Sequence, residues 1–202
     1  MSTECLVCVL ALSMSSAAHT AALEGNTELL KSALEANPEE VVRRHGPAEL
    51  TLLMLASVRG HIATASCLLN AGADPNAVNI NGETALILAA SARWPDVVRV
   101  LIAAGAEVDH RDALGMTAVH RAVLGGTHRL TSATDTVRAL LDAGADASIP
   151  DQQGKLPHQS ATQRRWTWTV PLLRWELTGY YPVGRNDLLV RTLREAASSR
   201  TR

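Results

Sequence analysis

The stretch LLNAGADPN at residues 68–76 returns as LIAAGAEVD at 101–109 and as LLDAGADAS at 140–148. Gly72 and Gly105 are 33 residues apart, and so are Thr51, Thr84 and Thr117 in turn. Only the last interval stretches, Gly105 to Gly144 being 39 residues. The threonine, the alanine pair, the leucine pair and the glycine all keep step. A period of this size marks an array of stacked units, none of which can bury its apolar face alone.

Residues 82–114 (GETALILAASARWPDVVRVLIAAGAEVDHRDAL) show what one unit is. Thr84 suits an N-cap, because its hydroxyl can accept an unsatisfied N–H of the first turn. Leu86, Leu88, Ala89 and Ala90 begin a short helix, with alanine where a neighbour must come close. A turn follows at Arg93-Trp94. Pro95 fits the first position of a second helix, where its missing N–H costs nothing. Val97, Val98, Leu101 and Ile102 make one apolar stripe, and Gly105 supplies the left-handed stop. The polar remainder, AEVDHRDAL, reads as a projecting turn. Composition agrees: 47% of residues are hydrophobic but only 3% aromatic, with no Phe. Alanine and leucine favour close helix packing over a sheet.

With these residues in view the chain resembles ankyrin-repeat proteins. The resemblance is carried by TLLMLASVRGH (51–61) with LLNAGADPNA, by TALILAA (84–90) and by TAVHRAV (117–123). It extends to AHTAALEGNTELLKSALEANP (18–38), where Asn37 replaces the stop glycine as a residue that tolerates left-handed backbone, and to GKLPHQSA (154–161). It implies an all-α repeat fold: an ankyrin-type solenoid of about four to five helix-turn-helix units with projecting β-turn loops. The domain runs over 17–161. Residues 1–16 read as a capping helix, with a signal peptide as the alternative, although Glu4 stands where a signal wants positive charge. Residues 162–202 read as an aromatic cap, with Trp166, Trp168, Trp175, Tyr180 and Tyr181, followed by a basic helix or tail; a partner-binding role for those rings is the alternative.

The departures from the family pattern are specific. Leu52, Ala85 and Ala118 replace its proline, Arg93 its glycine and Trp94 its histidine. Gly25 to Gly60 is 35 residues. Repeat four carries six extra residues around Thr127 to Ala133, which predict a longer inter-helix loop or a prolonged first helix.

Several chemistries lose ground on the residues alone. The formal net charge is −1, so nothing draws the whole chain to nucleic acid or membrane, although residues from 160 onward carry eight arginines against three acids. No apolar run reaches the roughly 18 residues of a spanning helix. Cys5, Cys8 and Cys67 cannot form a disulfide framework, and the odd number favours a reducing compartment; the expected location is cytoplasmic. Cys5-x-x-Cys8 has no second pair with which to hold zinc. His19, His61 and His120 occupy the family's structural histidine positions, while His45, His110, His128 and His158 are scattered in loops without metal-pair spacing. No phosphate-binding glycine loop, nucleophile elbow or metalloprotease helix is present. We therefore expect no catalytic residue, no cofactor and no metal.

The resemblance implies a protein-binding module, monomeric, acting as an adaptor, scaffold or inhibitor. Its partner surface is then the row of turn tips and the exposed face of the first helices. The tips fall at Arg43, Arg44 and His45; at Val78, Asn79 and Ile80; at His110, Arg111 and Asp112; and at Pro150, Asp151 and Gln152. The helix face adds Val58, Arg59, Ala92, Arg93 and Trp94. Two alternatives stand beside this: a secreted or periplasmic stress or effector protein, and a substrate of an asparaginyl hydroxylase. The second rests on Asn76, which has Leu68 eight residues before it and Asp74 two before.

Overall fold

The computed structural model describes residues 17–125 and 130–160, with side chains from 133 onward in the second stretch. The readings made for residues 1–16 and 162–202 lie outside them.

Within the described residues the chain alternates helices and projecting turns. Helix α1 covers residues 17–24 and α2 Thr27–Ala36, followed by a short 3-10 helix, Pro38–Val41. Then come α3 (Leu52–Arg59) and α4 (Ile62–Asn70), α5 (Ala85–Ala92) and α6 (Pro95–Ala103), and α7 (Ala118–Leu124) and α8 (Leu130–Asp142). A last helical turn covers residues 157–160. First helices stack in one row, α3 on α5 on α7, and second helices in another, α2 on α4 on α6 on α8. This is the expected all-α solenoid.

Alanine makes the first row possible. Ala56, Ala89, Ala90 and Ala122 are fully buried, and only a methyl group fits where two backbones approach so closely. Ala33, Leu68, Leu101 and Leu140 hold the same place in successive second helices and are all buried. The caps follow the sequence. The Met54 and Ile87 N–H groups each donate at 3.3 Å to the hydroxyls of Thr51 and Thr84, and Pro95 opens α6. Gly72, Gly105 and Gly144, just past the second helices, have φ between 87° and 92°.

Two expectations change. Asn37 does not take the left-handed stop: its φ is −145°, because the chain continues into the 3-10 helix opened by Pro38. Arg93, in the glycine position, does take it, at φ 62°. The insertion in repeat four does not prolong the first helix and lengthens the second; the expected longer loop falls on residues 126–129, outside the described ones. α7 has 7 residues, whereas α8 has 13 against 9 in α6. Thr136, Val137 and Leu140 match the buried stripe of α6, and Ala133 extends it one turn earlier. Among the described residues, no helix is long and apolar enough to cross a membrane.

Candidate partner-binding surface

Each regular turn is built around one buried side-chain acceptor. Asn79 Oδ1 accepts the N–H groups of Asn81 and Glu83, both at 2.9 Å. Asp112 Oδ1 accepts those of Leu114 and Met116 at 2.8 and 2.9 Å. Asp151 Oδ1 accepts those of Gln153 and Lys155 at the same two distances. These side chains bend the loop back on itself, and none of the three residues is more than 6% exposed. Asn79, Asp112 and Asp151 are therefore corrected from partner contacts to the inner pins of the turns. The first turn is one residue longer and has His45 in that place. It closes by mutual backbone bonds between His45 and Leu50, at 2.8 and 3.0 Å, and Glu49 is held at φ 53°.

The turns are also joined to one another. Ile80 N–H donates to Ala48 carbonyl at 3.3 Å, Ala113 to Asn81 at 2.9 Å, and Gln152 to Leu114 at 3.1 Å. Side chains add further links. Arg44 donates to the Val78 carbonyl, and the His110 ring nitrogen Nε2 lies 3.1 Å from the Gly82 carbonyl. Arg111 donates to Gly115 at 3.2 Å and to Pro150 at 3.0 Å. The Gln152 amide donates to Ala113 at 2.7 Å. The structure thus brings Arg44, Val78, His110, Arg111 and Gln152 to the turn row as expected, but gives each a linking duty. Arg43 remains 53% exposed on its side chain and pairs at 2.8 Å with Glu40.

Glu40 was not foreseen. Its carboxylate is 1% exposed, and its second oxygen lies 3.7 Å from His45 Nε2. The His45 ring, itself only 10% exposed, lies 5.3 Å from that of His19. Burial holds the His45 imidazole below its ordinary pKa, with Glu40 pulling the other way. His45 is a half-buried structural group rather than a free contact.

The helix face needs a similar revision. Arg93 is only 6% exposed. Its guanidinium donates to the carbonyls of Ala122 and Val123, both at 3.2 Å, at the C-terminal end of α7, where a cation is favoured. Trp94 lies against Gly60, so close that a Cβ there would stand 2.5 Å from the ring, and its indole N–H donates to Val58 carbonyl at 3.0 Å. His61 does the same one repeat earlier, over Gly25 and 2.9 Å from Leu23 carbonyl. Arg93 and Trp94 therefore join repeats. Arg59 is exposed, and Val58 is 38% exposed.

Two further groups lock neighbours. Arg121 donates to Asp112 Oδ2 at 2.7 Å and lies 3.3 Å from Glu83, tying two turns to α7. His120 is fully buried, accepts the Thr117 N–H at 3.3 Å through Nδ1, and reaches the Lys155 carbonyl at 3.1 Å with Nε2. Burial pushes its pKa down, so the neutral ring is the working form. Asn76 donates to Gly105 carbonyl at 3.2 Å and accepts Glu107 N–H at 2.8 Å; its amide is a clasp between repeats.

Some groups at the crest have no such duty. Ile80 is 64% and Leu114 51% exposed, on turns whose polar groups are otherwise engaged. Sequence reasoning chose Ile80 and passed over Leu114, although each follows its pin within two residues. Among the described residues, no three His, Cys, Asp or Glu side chains stand together as a metal site.

Comparison with known proteins agrees with this architecture. The family profile for ankyrin repeats, in 3 copies, matches residues 53–151. Protein PhlB of Serratia liquefaciens is 35% identical over 132 residues, 64% of this chain and 56% of that protein. The ankyrin repeat and KH domain-containing protein mask-1 of Caenorhabditis elegans is 35% identical over 146 residues, 71% of this chain and 5% of its own length. The ankyrin repeat and SAM domain-containing protein 6 of Mus musculus is 33% identical over 154 residues, 74% of this chain and 16% of its own. The chain thus spans little more than half of the first relative and a small part of the others. Ankyrin repeats generally mediate protein–protein interaction, typically without catalysis of their own. By its stacked helix pairs, its bonded turns and the matched repeats, the chain belongs to the ankyrin-repeat family.

Proposed function

We propose that this chain is a non-catalytic binding module, acting as an adaptor, scaffold or inhibitor, and that its partner sits on the crest of the turns. One observation carries the reading. Ile80 and Leu114, at 64% and 51% exposure, stand on a row of turns made rigid by bonds between repeats. Neither side chain is part of the buried core, and large apolar side chains left in water on a rigid support mark a contact surface. Arg59 and Val58 extend it along the helix face. Rigidity matters because a surface that is already ordered loses little freedom on binding.

Photo-crosslinking tests this directly. A photoreactive residue replaces Asn81 or Ala113 on the crest, or Arg99 on exposed α6, in otherwise intact protein. Adducts with a partner in native lysate are expected from 81 and 113 and not from 99. Adducts from 99 alone would remove the crest from consideration. We further place the protein in the cytoplasm, from its odd cysteine number, and propose that it is a monomer; cell fractionation and sedimentation check those two points.

A further inference from the structure

We infer that the first turn, residues 42–50, is an acid-sensitive latch: it is shut while the His45 ring is neutral and opens when that ring takes up a proton. Its bearing on partner binding rests on the reading above, whereas the opening itself does not.

Three observations lead there. First, this turn departs from the plan of the others. Asn79, Asp112 and Asp151 each hold two backbone N–H groups of their own turn on one side-chain oxygen. The first turn has an imidazole in that place, the side chain whose charge changes nearest to neutral pH. Second, the ring is poorly provided for. Its side chain is 10% exposed, and among the described residues its buried Nε2 has no hydrogen-bond partner. Glu40 Oε2 stands 3.7 Å away, beyond hydrogen-bond reach. Third, the closed turn is held lightly. His45 and Leu50 shut it with two backbone bonds, and Glu49 N–H adds one to the Gly46 carbonyl at 3.1 Å. Against these, Glu49 is kept at φ 53° and meets Arg44 only at 3.8 Å.

The charges around the ring set the direction. Those acting on it are Glu40 from the 3-10 helix, Arg43 from the turn and His19 from α1. Glu40 draws a proton to His45, but Arg43 already takes that carboxylate's other oxygen at 2.8 Å. Arg43 and His19, whose ring lies 5.3 Å away, repel a further positive charge. Burial opposes it most of all and holds His45 below its ordinary pKa. An imidazolium is therefore better served in water than in the closed turn. The closure is at full strength above about pH 6.5 and weakens as pH falls below that value. Opening parts the Ala48 carbonyl from the Ile80 N–H, which donates to it at 3.3 Å, and moves Arg43 and Arg44. In acid the crest thus loses its first tie, behind Ile80.

The test is amide hydrogen exchange on the intact chain, followed residue by residue by NMR between about pH 7.5 and about pH 5.5 and corrected for the intrinsic pH dependence of exchange. Protection of the Leu50 and Ile80 amides should fall at least about threefold in acid, while that of Leu88 and Ala113 should change less than about 1.5-fold. The step should vanish in His45→Gln, whose side chain does not titrate. Its midpoint in the parent should coincide with titration of the His45 ring signal. No step at Leu50 and Ile80 overturns the inference, and so does an equal loss at Leu88 and Ala113, which is a loosening of the whole array. A step that survives in His45→Gln overturns it as well. If that variant does not fold, the parent decides alone: a midpoint apart from the ring's titration refutes the latch, and a shared one upholds it. Crosslinking from 81 and 113 is read separately, so a refuted latch leaves the partner surface standing.

Discussion

Asp112 has both carboxylate oxygens engaged inside the molecule, one on two backbone N–H groups and the other on Arg121. Removing it leaves those donors buried and Arg121 short of a partner. Asp112→Ala should cost about 2–4 kcal/mol in urea unfolding, while the same change at exposed Arg99 should cost under about 0.5 kcal/mol. The three pins were legible after all. Asn79 and Asp112 stand five residues before Thr84 and Thr117, in the same period as the scaffold. They were read as contacts because polar turn residues look exposed in a sequence, and burial comes only from the next repeat. Glu40 gave no such signal, since its partners Arg43 and His45 belong to a turn without a periodic counterpart. Glu49 makes the opposite prediction. Its φ of 53° suits glycine, and its pair with Arg44 is exposed and long at 3.8 Å. Glu49→Gly should therefore stabilise by about 0.5–1 kcal/mol, measured the same way.

At the scale of elements, the question is how one helix pair grips the next. Trp94 and His61 answer it identically, each covering the glycine that ends the previous first helix. Gly60 has φ 80° and the indole 2.5 Å from where a Cβ would be, so two penalties overlap there. Gly60→Ala should cost about 2–4 kcal/mol in the parent, but only about 1 kcal/mol in a Trp94→Ala background, where the ring is gone. A double-mutant cycle by thermal or urea unfolding reads that difference directly. Arg93 sets two effects against each other. Glycine would relieve its left-handed backbone by about 1 kcal/mol. It would also delete charge-assisted bonds to two helix-end carbonyls, worth about 1.5–3 kcal/mol together. The bonds should win, leaving Arg93→Gly less stable. Helix starts at Thr51, Thr84 and Pro95 were legible, because capping chemistry is local. The lengthening of α8 was not: an insertion states how many residues are added, and only packing of Ala133 beside Thr136 shows which helix absorbs them.

Across the whole molecule, stability is a chain of neighbour-to-neighbour terms, and His120 sits on one of them through the Lys155 carbonyl. Its folded pKa is lowered, as is that of His45. The unfolded chain therefore takes up protons first as pH falls. The stability linked to these rings is complete above about pH 6.5 and is lost progressively below it, toward their folded pKa values. Melting temperature should be level from about pH 7 to 8 and decline through pH 6 to 5. His120→Gln should start lower and decline less steeply. The architecture itself was readable from periodicity, because each repeat restates the same packing problem. The bonded turn row has a mechanical meaning as well. Along that edge successive repeats are tied by backbone hydrogen bonds, whereas the helix rows meet through burial with side-chain bonds from His61, Arg93 and Trp94 between them. The array then resembles a bound book: nearly inextensible at the spine, more compliant across the pages. Flexing will fan the helices while the crest keeps its length, so a partner lying on the spine meets a fixed ruler even as the rest of the protein breathes.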